Sequence, residues 1–144
     1  MSKELTSLVI TYAVCVILWY GLQSYGHYLL FKKAKVNTNL AFIPLLREYK
    51  MFELTWKNPT VRLAWVVGMV GFPLFYLGST FNIQIIAWLG LFMFIAGLVL
   101  SALRAFQEAK AYNKGAGIGV AIMFLAPVAN IVLGKSDADY QGAI

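Results

Sequence analysis

Charge is scarce in this chain of 144 residues: only 12% are Asp, Glu, Lys or Arg, about half the share usual in a soluble domain, while 60% are hydrophobic. With a mean hydropathy of +0.71, a water-soluble fold of this size would have too little polar surface to cover its apolar side chains. One cysteine, Cys15, excludes an internal disulfide and a thiolate metal cluster, and within an apolar run it reads as a small buried hydrophobe. One histidine, His27, excludes a multi-histidine metal site, and its place between Tyr25 and Tyr28 fits a hydrogen-bonded or snorkelling interfacial residue. The six acidic residues all fall outside the apolar runs, which argues against a proton relay or cation path through them. Asp137 and Asp139 lack the later ligands of a calcium loop, so "GKSDADYQG" reads as a solvated tail. "GAGIG", residues 115–119, has no strand before it and no Lys-Ser/Thr after it, so it is not a phosphate loop. No cofactor and no catalytic constellation is expected.

What remains is apolar length. A helix needs about 20 mostly apolar residues to cross a bilayer. Four runs qualify, at about 5–31, 62–77, 83–103 and 117–133, and predict one all-α integral membrane domain over 1–144, a four-helix bundle. The nearly neutral start "MSKELTS" leads into an apolar run longer than a signal peptide's and predicts a retained first helix. "GSTFN", 78–82, is a tight turn between the second and third helices.

Ten cations flank the two long connections: Lys32, Lys33, Lys35, Arg47, Lys50, Lys57, Arg62, Arg104, Lys110 and Lys114. Only Lys3 and Lys135 are left for the other side, so the positive-inside rule predicts both connections in the cytoplasm and both termini outside. Tyr25, Tyr28, Trp56, Tyr112 and Tyr140 fall near the expected interfaces. The basic residues form no stripe interleaved with stacking aromatics, so the expected partners are the lipid bilayer and anionic lipids, not nucleic acid.

The stretch "AFIPLLREYKMFELTWKNP", 41–59, is too short and too charged to cross. Leu45, Tyr49, Phe52 and Trp56 recur at helical spacing, with Arg47, Lys50 and Lys57 on another face, which predicts an amphipathic interfacial helix at about 44–57. Pro44 would sit in its first turn and Pro59 would end it. The third helix is expected to run past the membrane surface to Asn113 or Gly115. Arg47, Lys50, Lys57, Trp56, Lys32, Lys33 and Lys35 are the candidate partner or lipid contacts.

Within the runs, polar groups are few: Thr11, Gln84, Ser101 and Asn130. Asn130, in "APVANIVLG", needs a partner on another helix or in a polar cavity. Gly68, Gly71, Gly90, Gly97, Gly115, Gly117 and Gly119 predict close helix contacts and local bends.

"IPLLREYKMFEL" (43–54), "WKNP" (56–59) and "AKAYNKGAGIGVAIMFLAPVANIVLGKSDADYQG" (109–142) together resemble a family of small bacterial integral membrane proteins of unknown function. The shared series is a loop Ile-Pro, a Tyr and a Pro, then Lys-Gly, a glycine-rich helix, Leu-Gly and Tyr-x-Gly. Leu46 and Arg47 stand where that family commonly has Tyr-Asn. Related segments are sometimes joined to signal peptidases, so the resemblance implies a bacterial plasma membrane near envelope machinery. No Ser-Lys dyad is present to carry over.

The function expected from these residues is a non-enzymatic accessory or scaffold subunit, docking a membrane protein partner through the basic loop or glycine-rich helix faces. The alternative is a small homo-oligomeric channel or transporter for a neutral solute, lined by Asn130, Gln84 and Ser101. An interfacial enzyme built on His27 and nearby cations ranks third.

Overall fold

A computed structural model describes residues 2–144, and these form helices with no strand among them. The elements are α1 (Lys3–Lys33), a 3-10 turn (Thr38–Phe42), α2 (Leu46–Thr55), α3 (Pro59–Thr80), α4 (Gln84–Ala111) and α5 (Ala116–Lys135). By length and composition, α1, α3, α4 and α5 are each long and apolar enough to cross a membrane. The end of the molecule holding residues 34–58 is here the loop end, and the end holding residues 81–83 is the far end.

α1 starts where the Ser2 hydroxyl accepts from the Leu5 amide at 3.2 Å, a local cap for an otherwise orphan donor. Its 31 residues span about 45 Å, with Lys32 and Lys33 at the end favoured for cations. The first half is largely free: no residue in an apolar 18-residue window of α1 is buried, whereas Gln23, Ser24, Gly26, His27, Leu30 and Phe31 are. Cys15, expected to be buried, is exposed on this free half.

Helix α2 departs from expectation at both ends. Leu45 adopts φ +66°, a conformation strained for a branched side chain, so the helix begins at Leu46 with Pro44 outside it. The expected apolar face shifts accordingly. Phe52 is buried with Met51, Leu54 and Thr55, while Leu45 is 64% exposed. α2 stops at Thr55, and Pro59 is the first residue of α3, where its missing N–H costs nothing.

α3 and α4 form the expected hairpin, and glycines set its spacing. A Cβ on Gly71 would lie 2.4 Å from the Gly90 carbonyl oxygen, and one on Gly68 would lie 2.6 Å from Gly97 Cα. The glycine stripe of these two helices is therefore consumed inside the molecule. Gly115 and Gly117, by contrast, have open space where a side chain would go.

α5 does not run straight. Leu125 leaves helical geometry (φ −131°, ψ 44°) two residues before Pro127, whose ring crowds the carbonyl four residues back and whose nitrogen cannot donate to it. The chain reverses there. The first arm packs on α4, with Gly119 against Phe106, and the second packs on α1, with Gly26 against Asn130 and Gly134 against Leu29. Lys114 and Asp137, on either side of α5, lie 3.2 Å apart, whereas a straight 20-residue helix would hold them about 30 Å apart or more.

This bend returns residues 136–144 to the loop end, opposite the start of α1 at Lys3. Asp137 and Asp139 are exposed, as expected, but the backbone around them is held. Gln141 N donates to Ala111 O at 2.7 Å, Ile144 N to Thr55 O at 3.2 Å, and Tyr140 Oη to Leu54 O at 2.6 Å. The core lies at this end, built from Leu30, Phe31, Met51, Leu54, Ile122 and Leu133 around Tyr112. Tyr112 is fully buried and donates to Leu30 O at 2.8 Å, so it is not the half-wet interfacial ring its sequence position suggests.

Candidate functional site

The bend in α5 and the docking of α2 bring charges from three helices together at the loop end. α4 contributes Arg104 and Glu108, one helical turn apart on the face that also buries Ala105 and Ala109. α2 contributes Arg47 and Glu48 from its first turn, and α1 contributes His27.

Arg104 is the hub. Its Nη1 donates to Glu108 Oε2 at 2.6 Å and its Nη2 lies 3.0 Å from Glu48 Oε2, so one guanidinium joins α2 to α4. The guanidinium also lies over the Phe52 ring, 5.6 Å from its centre. Glu48 turns its other oxygen toward His27 Nε2 at 3.6 Å and Arg47 Nε at 3.5 Å. Arg47 is held in turn by Ser24, whose hydroxyl accepts from Nη1 at 3.1 Å, and by the Tyr20 ring at 5.4 Å. His27 Nδ1 lies 2.9 Å from Gln23 O, the geometry of a donated hydrogen bond.

Burial opposes ionisation of Glu48, but Arg104, then His27 and Arg47, hold its carboxyl below the ordinary range. Two carboxyl groups thus face two guanidiniums beside the His27 ring. Arg104 is 6% exposed, and Glu108 and His27 are 0% exposed. Such a cluster adds little net stability over an apolar core, but removing one member strands the others, so it fixes which surfaces of α1, α2 and α4 meet. Glu108 Oε1, His27 Nε2, Gln23 Oε1 and both amide atoms of Asn130 have no protein hydrogen-bond partner. Among the described residues, no three His, Cys, Asp or Glu side chains converge as a metal site.

The candidate contacts named from sequence are dispersed. Arg47 belongs to the cluster; Lys50 Nζ pairs with Glu53 at 3.1 Å; Lys33 Nζ donates to the carbonyls of Ser136, at 2.7 Å, and Ala138. Trp56 stacks on Phe52, centroids 6.2 Å apart. Lys32, Lys35 and Lys57 remain exposed. The intramembrane polar residues do not converge. Gln84 is exposed at the far end, Ser101 accepts from Trp65 Nε1 and donates to Gly97 O, both at 3.0 Å, and Asn130 is buried against α1. Seventeen helical residues, about 25 Å, separate Gln84 from Ser101. His27, expected at an interface, is wholly enclosed.

Glu48, Arg104 and Glu108 were missed as a set because Glu48 lies on the first long connection and Arg104 and Glu108 on the second. Their one local signal was the four-residue Arg104–Glu108 spacing flanked by Ala105 and Ala109, an ion pair on a face otherwise suited to burial.

These features define a helical protein with four membrane-length apolar helices and a polar, charge-paired loop end. Comparison with family models, curated proteins and solved structures finds no match for this chain.

Proposed function

We propose that the chain is a non-enzymatic, membrane-embedded accessory or scaffold subunit of a larger complex in a bacterial plasma membrane. The observation that carries this reading is the free half of α1: an apolar window of membrane-crossing length, 0% buried, on a molecule whose other end is tightly packed. A helix stretch with no buried residue, touched only near Tyr20 by Phe42 and Arg47, offers most of its circumference to another apolar helix or to lipid. The α3–α4 glycine seam is already occupied, which leaves α1 and the exposed Lys32, Lys35, Lys57 and Lys110 as docking elements.

In this reading α1, α3 and α4 cross the bilayer. α5 enters and leaves from one side, its arms of about 9 residues reaching about 14 Å, or half the hydrocarbon depth. A bent helix is tolerated there because α1 and α4 pack against it. Eleven of the twelve cations, all but Lys3, then gather at the loop end, which the positive-inside rule assigns to the cytoplasm together with the C-terminal segment. The N-terminus faces out. The family resemblance and its link to envelope machinery accord with this setting.

Native mass spectrometry of the protein extracted from its own membrane in a mild detergent tests the proposal. A reproducible heteromeric mass that is lost on Val9→Trp with Ala13→Trp, in a variant that still melts like the wild type, is expected. A homo-oligomer with no other mass would overturn it in favour of the oligomeric channel.

A further inference from the structure

Beside the ionic cluster, where α2 meets α3, an apolar groove of about 670 Å³ opens on the surface, within the ~300–1,000 Å³ usual for small-molecule sites. Its walls include Trp65, Met69, Phe72 and Pro73 of α3, and Leu45 and Leu46 project into it from the start of α2. Two features create it. The glycines of α3 hold α4 close enough for Phe94 to close one side of it, and the left-handed turn at Leu45 leaves Leu45 and Leu46 64% and 49% exposed instead of packed.

The loop-side rim of the groove is polar and positively charged. Tyr49 lines the groove and carries the Arg62 guanidinium over its ring at 5.3 Å. Arg62 Nη1 lies 3.5 Å from Glu53 Oε2, and Lys50 Nζ lies 3.1 Å from Glu53 Oε1. Two cations thus share one carboxylate, leaving a charge of +1 at the mouth of the groove. Arg62 Nε is enclosed and has no acceptor in the protein.

We infer that this groove binds one anionic phospholipid of the loop-side leaflet, with its phosphodiester at Arg62 and Lys50 and an acyl chain against Trp65, Met69 and Phe72. The charge at the rim matches a monoanionic headgroup, and the apolar walls match a chain. The groove's length on α3, from Trp65 to Phe72, is about 10 Å, too short to bed a partner helix crossing about 30 Å of hydrocarbon. A flexible chain can fold into it.

The inference rests on the membrane setting proposed above, and the two fail differently: a protein that washes out of membranes at high pH loses the setting, whereas loss of headgroup preference in a membrane-bound protein loses only the site. The test places a diazirine amino acid at Met69 in protein reconstituted into vesicles of equal parts phosphatidylglycerol and phosphatidylcholine, with mass spectrometry of the photoadducts. Adducts should be mainly to phosphatidylglycerol. Removing either cation, with Arg62→Gln or Lys50→Gln, should lower that preference about fivefold, and Glu53→Gln should raise it. Equal labelling of both lipids, adducts to protein in place of lipid, or a preference unmoved by all three substitutions would overturn the assignment. Because Glu53→Gln acts in the opposite direction, a general loss of folding cannot imitate the expected pattern.

Discussion

Lys114 and Asp137 lie 3.2 Å apart although the whole of α5 separates them in the chain. That ion pair is weak in itself, since the Asp137 side chain is 94% exposed, but its geometry requires α5 to turn back on itself. The turn determines which end of the molecule receives the C-terminal segment and how the core is closed.

The first prediction concerns that path. In a Cys15→Ser background, single cysteines at Ser2, Lys35 and Asp139 should react with a membrane-impermeant maleimide from two sides, Lys35 and Asp139 from one and Ser2 from the other. Labelling of Ser2 and Asp139 from the same side would mean that α5 crosses straight.

Arg104 holds two carboxylates, so its loss should cost more than any single partner explains. Arg104→Met leaves the buried Glu108 without a cation and Glu48 with Arg47 alone, and should destabilise the protein by about 3–5 kcal/mol. Adding Glu48→Gln and Glu108→Gln should recover most of that loss. Thermal unfolding in detergent measures both; no recovery in the triple variant would show that Arg104 acts through packing on Phe52 and not through charge.

The glycine seam makes a contrast available within one fold. Gly71→Ala places a Cβ 2.4 Å from backbone atoms of α4, which must move away, at a cost of about 1–3 kcal/mol. Gly117→Ala meets open space in the first turn of α5 and should be stabilising by up to about 0.5 kcal/mol. Melting temperatures that shift in the same direction for the two variants would contradict the packing described here.

The C-terminal segment should open without unfolding the rest. Tyr140→Phe removes the hydrogen bond to Leu54 O, and Lys33→Met removes the two to Ser136 and Ala138. Hydrogen exchange at the Gln141 and Ile144 amides should then quicken by about tenfold or more, while amides of α3 and α4 keep their protection. Unchanged exchange at Gln141 would show that the core around Tyr112, and not these side chains, holds the segment.

Composition and apolar run length were enough to read the helices, because a run such as 83–103 has little else it can be; the observed α4 simply extends it to Ala111. The Gly68, Gly71, Gly90 and Gly97 contact was legible for a similar local reason, since small residues at such spacing let two backbones approach. Leu45 was not legible. Its positive φ has no sequence signature in a branched residue, and it shifted both the start and the buried face of α2.

The sequence by itself determined the helical class, the apolar lengths, the α3–α4 hairpin and the crowding of cations on its connections, all of which follow from neighbouring residues. Only the tertiary structure decided that α5 reverses at Leu125, that the C-terminal segment returns to the loop end, and that His27, Glu48, Arg104 and Glu108 share one buried cluster. A proline marks where a helix can bend but not how far, and an isolated charge does not reveal its partner; both are settled by which distant surfaces pack against them.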